Sequence, residues 1–183
     1  MNARELHQAV VADLEKLFSG NYFKTPKHTM EPINVYRQDL PQFDAQGSDD
    51  FFPYIIVRLE GGGVKDPTAP HKVDVLLIIG LFDDATEEYR PGAENNYDED
   101  GKPTFISESG WDTRNFGAMA VMEVMERIQA HYEMEPSLEN GKFYFDGPFH
   151  WVMQDEDSWP YYFGICEMSF TLAAPRKKES QFV

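Results

Sequence analysis

Lys72 to Asp83 reads KVDVLLIIGLFD. In an extended chain, Val73, Val75, Leu77, Ile79 and Leu81 point one way, and Leu76, Ile78, Gly80 and Phe82 point the other. Both sets are apolar; only Asp74, near the entry, breaks the run. A strand with one wet face alternates apolar and polar residues, whereas a strand covered on both faces reads as a continuous apolar run. The run fits a strand and falls far short of the roughly 20 apolar residues a membrane helix needs. It predicts the central strand of one sheet. Its two faces are expected to meet two helices, one on each side, or one helix and a neighbouring subunit.

Upstream, Phe52 to Glu60 (FPYIIVRLE) predicts a second strand, with Pro53 at its entry where a missing donor is tolerated. Gly61, Gly62 and Gly63 follow without the Lys-Ser/Thr of a phosphate loop, so a flexible hairpin connection through Val64 to His71 is expected. Ile33 to Gln38 predicts a short strand, and Asp39 to Asp50 a polar loop. Asn2 to Phe18 predicts an amphipathic helix with Leu6, Val10, Leu14 and Leu17 as its apolar stripe. Asn2 and Glu5 have capping-box spacing, Gly20-Asn21 ends the helix, and His7 and Glu15 are placed on its wet side.

Downstream, Asp83 to Asp112 holds ten acids against two bases, net −8 of the chain's −16. It lacks hydrophobic periodicity and predicts a long acidic loop inserted between strand and helix. Thr113 to Glu133 predicts the second helix. Val121, Val124, Met125, Ile128 and Tyr132 form its main stripe, with Phe116, Met119 and Met122 off it. Lys142 to Phe145 and Phe149 to Gln154 predict two strands joined by an Asp146-Gly147 hairpin turn. In Tyr161 to Leu172, Tyr162, Gly164, Cys166, Met168, Phe170 and Leu172 share one face and Glu167, Ser169 and Thr171 the other. Residues 175–183 are expected to fray. Helices and strands do not alternate strictly, which predicts an α+β fold. Residues 1–183 form a single domain, with two main helices on a mixed or antiparallel sheet and the acidic insertion at 83–112.

The chemistry-bearing residues are sparse. Cys166 is the only cysteine and lies in an apolar run, which predicts an inert buried thiol and excludes an intrachain disulfide. The five histidines stand in unrelated settings, and no hydrolase, zinc-protease, nucleotide or dinucleotide motif is present. No enzyme activity and no cofactor is predicted. Net charge −16 disfavours nucleic-acid backbones and anionic membranes. The N-terminus has no apolar secretory core, so the cytoplasm is the default site of folding. Asn96, Asp98, Asp100 and Gly101 match the first half of a calcium loop. Ser107 stands where the bidentate Glu belongs, so a metal is not assigned. Trp151, Trp159, Tyr161 and Tyr162 cluster among acids, a composition shared by interfaces and sheet ends.

The segments FFPYIIVRLEGG, VLLIIGLFD and GKFYFDGPFHWVMQDEDSWPYYFGICEMSFTLAAPRK resemble the tail terminator, or tail completion, proteins of long-tailed bacteriophages. The resemblance runs from Phe52 to Lys177, apart from the stretch Ala85 to Gly110, which is longer than the family pattern. It implies a sheet with helices packed on it and a subunit that closes into a ring, commonly a hexamer. That ring caps the tail tube, stops its polymerisation and joins it to the head connector. It also implies a place in the virion tail after assembly in the host cytoplasm, with DNA passing through unbound. No catalytic residue or cofactor belongs to the family. In such a ring Phe116, Met119, Met122 and Trp159 are the candidate subunit contacts. Asp83, Asp84, Glu87, Glu88, Asp98, Glu99 and Asp100 are candidates for an acidic surface that repels passing DNA. The competing expectation is an acidic binding module for a basic protein or calcium.

Overall fold

The computed structural model describes residues 3–41, 51–63, 69–84, 116–155 and 158–172, with Phe116 described by its backbone alone. The elements follow as α1 (Ala3–Leu17), β1 (Tyr22–Lys24), β2 (Met30–Pro32), β3 (Asn34–Arg37), β4 (Tyr54–Gly63) and β5 (His71–Phe82). Then come α2 (Phe116–Met134), β6 (Ser137–Leu138), β7 (Phe143–Phe145), β8 (His150–Met153) and β9 (Tyr161–Leu172). Seven strands form one curled mixed sheet in the order β3-β4-β5-β9-β7-β6, with β8 also paired to β9. β3 and β4 are parallel and the other pairs antiparallel. The fold is a single α+β domain, with two helices among the described residues. β1 and β2 make a small separate hairpin.

β5 is the interior strand its apolar run predicts. It pairs along its whole length with β9, from His71 opposite Leu172 to Phe82 opposite Tyr161. Val73, Val75, Leu77, Ile79 and Leu81 are at most 2% exposed. They share one core with Ile55 and Val57 of β4 and Cys166, Met168, Phe170 and Leu172 of β9.

The two helices do not take one face each. Leu6, Val10 and Leu14 of α1 and Val121, Val124, Met125 and Ile128 of α2 join the same core on the same face of the sheet. The helices also touch each other. His131 Nε2 lies 2.7 Å from Asp13 Oδ2, and Arg127 donates to the Leu17 carbonyl at 3.3 Å while standing over the Phe18 ring. The physical reason is curvature: the curled sheet brings β6, at the end of the strand order, back to α1, so one concave face holds both helices. On the convex face, Ile56, Ile78, Ile165 and Val152 stand in register across four strands. No described helix lies there.

Three local expectations are corrected. His7 is not on the wet side: it is buried, and its Nε2 donates to the Val57 carbonyl at 2.8 Å. The bond satisfies a group that burial would otherwise leave at a cost. Gly61, Gly62 and Gly63 are not the connection; they lie within β4, opposite Asp74, Val73 and Lys72, after a bulge at Glu60. The ladder to β5 overrides glycine's weak strand preference. Asp146-Gly147 is not a hairpin turn. β7 and β8 both run antiparallel to β9 and so run the same way, in line along one side of β9 and interrupted at Asp146–Phe149. Pro148 has no N–H for a ladder, so the chain bulges past it and resumes.

Candidate functional site

The predicted contact residues come from two distant segments, and the fold brings those segments together at one end of the domain. Gly117, in the first turn of α2, lies under the Tyr162 ring; a Cβ there would sit 1.9 Å from Tyr162 Cε2. This close approach brings the start of α2 against the start of β9. Ala118, Met153, Asp155, Ser158, Tyr162 and Phe163 line an open groove of about 240 Å³ between them. Met119 and Met122 are half-buried on α2, and Trp159 is 56% exposed.

The turn that carries Trp159 is held from several sides. Ser158 Oγ donates to the Tyr161 carbonyl, and Tyr161 N–H returns to the Ser158 carbonyl at 2.9 Å. Asp83 N–H donates to the Pro160 carbonyl at 2.9 Å, which ties the turn to the end of β5. Behind it Phe52 packs against Tyr54, Tyr161 and Phe163, and Phe82 packs against Tyr161. The indole is therefore presented on a fixed base, which lowers the entropy lost when a partner covers it.

The acidic candidates divide. Asp83 is buried, 6% exposed, and Asp84 is ion-paired with Lys24, with His28 Nδ1 at 3.4 Å. Neither belongs to a free acidic surface: Asp84 fastens the β1–β2 hairpin to the end of β5. Glu87, Glu88, Asp98, Glu99 and Asp100, the calcium-like Asn96, and the tail 175–183 lie outside the described residues. Among the described residues no group of three His, Cys, Asp or Glu side chains is placed to hold a metal ion.

Burial opposes ionisation of Asp84, but its bond to Lys24 and the Lys24 and His28 charges outweigh burial and lower its pKa. A carboxyl lowered in the folded state contributes stability that is complete above the ordinary value of 3.8 and disappears as pH falls below it. Lys24→Met is therefore expected to reduce stability at pH 7 and to flatten the acid limb of the stability profile below about pH 4. Urea unfolding at successive pH values measures both effects.

Cys166 and Tyr132 are both buried. Burial pushes the Cys166 thiol up to about 12, so it is neither exposed nor ionised near neutrality. Burial first, then the nearby Asp13 carboxylate, hold the Tyr132 phenol well above its ordinary value. Its hydroxyl lies near Asp13 but outside hydrogen-bond geometry with it. The five histidines sit on α1, the β1–β2 turn, β5, α2 and β8. No described helix is long and apolar enough to cross a membrane.

The chain matches no protein-family model and no curated protein.

Proposed function

We propose that the chain is a structural assembly protein that caps a bacteriophage tail tube as a ring and presents the docking surface for the head connector. The reading starts from the resemblance over Phe52 to Lys177. The observation that carries it is the convergence of the α2 start and the Trp159 turn around one open groove. A ring needs two different complementary patches on each subunit. An exposed Trp on a rigid turn, next to a groove that Met153 and Tyr162 help line, suits one of them, because buried aromatic anchors dominate contact energies.

Trp159→Ala is expected to cost about 2 kcal/mol per subunit contact, a roughly 30-fold weakening of association, with the fold intact. Sedimentation velocity of the chain, alone and with tail tube protein, reads this as loss of the species heavier than one 21.1 kDa subunit. Unchanged association of the variant would remove Trp159 from the contact.

A further inference from the structure

We propose that β8 is a docking edge for an extended strand of a different protein, one carrying an apolar residue and, two positions along, a Lys or Arg. Among the described residues β8 pairs with β9 alone. Gln154 N–H donates to the Phe163 carbonyl at 3.1 Å. That sets the antiparallel phase: Gln154, Val152 and His150 direct their backbone groups to β9, and Trp151 and Met153 direct theirs outward. Among the described residues nothing meets those outward groups.

Natural sheets blunt such edges with lysines, prolines or covering segments. The strand itself, His-Trp-Val-Met, has no such guard. Trp151 is 41% exposed and Val152 62%, and Val152 faces Ile165, itself 38% exposed. An added strand would gain backbone hydrogen bonds at Trp151 and Met153 and cover this apolar pair.

The choice of occupant follows from charge. Glu60, Asp74, Pro148, His150, Glu167 and Ser169 line a groove of about 270 Å³ beside the start of β8. Glu60 and Glu167 have no cationic partner among the described residues, and Asp74 accepts only from Ser169 Oγ, at 2.8 Å. Val152 and His150 are two residues apart on the same convex face, and His150 is opposite Glu167. An apolar side chain of the added strand thus falls beside Val152, and the next one on that face falls beside His150, with Glu167 one strand further in on β9. A Lys or Arg there extends over His150 toward Glu167, the nearest of the three carboxylates, with Asp74 on β5 and Glu60 on β4 adding negative charge beyond it.

Pairing with the β8 of a second copy does not supply this pattern. Residues 146–155, DGPFHWVMQD, contain no Lys or Arg, so pairing β8 with itself sets acids against acids. β3 carries Val35 and Arg37 at this spacing, but on the core face, where Val35 packs, and its convex face offers only Asn34 and Tyr36. The inference goes beyond the tail-cap reading. It stands if no ring forms, because Trp159 is probed by association and this edge by exchange at Trp151, which does not line that groove.

The test uses the full chain and two blocked peptides, TVTKTVTK and TVTETVTE, with amide hydrogen exchange followed by NMR. TVTKTVTK is expected to slow exchange at Trp151 and Met153 by about tenfold or more at saturation, and TVTETVTE to leave both unchanged. Glu167→Gln, a surface change, should weaken binding about threefold and reduce its salt dependence. Val152→Lys should abolish binding. Unchanged exchange at Trp151 and Met153, or equal protection by both peptides, would overturn the proposal. So would protection without peptide accompanied by a doubled mass, which would make the occupant a second copy.

Discussion

Phe170→Ala is expected to destabilise the domain by about 3–5 kcal/mol, most of the stability a domain of this size commonly has. Phe170 is fully buried in β9, in register with Val73 of β5 and Phe145 of β7. Its ring meets Tyr132 of α2 edge-on, with centroids 5.4 Å apart, and Phe145 at 6.1 Å. The truncation therefore opens a cavity where α2 and three strands meet, and the neighbouring strands cannot collapse into it without breaking register. Urea unfolding should show the midpoint falling with little change in slope. A loss under about 1 kcal/mol would mean that α2 does not seat on β9 as described.

Gly164→Val is expected to cost about 3 kcal/mol by the opposite route, overpacking. A Cβ on Gly164 would lie 2.6 Å from Val121 Cγ1 and 2.9 Å from Met125 Sδ. The helix must lift from the sheet, and the core below it loses contacts along the whole stripe. The mechanism has a distinct signature. Gly164→Ala and Val121→Ala should each destabilise, while the double variant should be more stable than their sum by at least about 1 kcal/mol, because the second change makes room for the first. Strict additivity would contradict the close approach.

The strong local signals were legible. β5, β9 and the buried stripes of both helices follow from hydrophobic period alone, because those residues are buried where the period puts them. What was not legible depends on partners far along the chain. His7 reads as a polar position until the Val57 carbonyl of β4 stands 2.8 Å away. The three glycines of β4 read as a connection because only the ladder to β5 makes them a strand. Asp146-Gly147 carries a turn signal, yet β9 is long enough to pair with both flanking segments, and the turn becomes a bulge. Both helices share one face because the sheet curls, a property no single strand encodes. The β1–β2 hairpin, only three residues per strand, was too short to show a period.

The candidate site was legible by residue type and not by place. Met119, Met122 and Trp159 stand out as apolar residues off the core stripes, and their segments prove adjacent only once Tyr162 lies over Gly117. The open edge of β8 was hidden by the hairpin expectation, which would have paired its outward groups with β7. Asp83 and Asp84 read as part of an acidic run by composition, and the structure uses them to hold the end of β5.

The proposed function is most directly tested by electron microscopy of tail tube protein polymerised with and without this chain. The tail-cap account predicts tubes that stop growing when the chain is added, with a ring of density at the tube end, and tubes that keep growing when Trp159→Ala replaces it. Tubes of unchanged length with bare ends would contradict it.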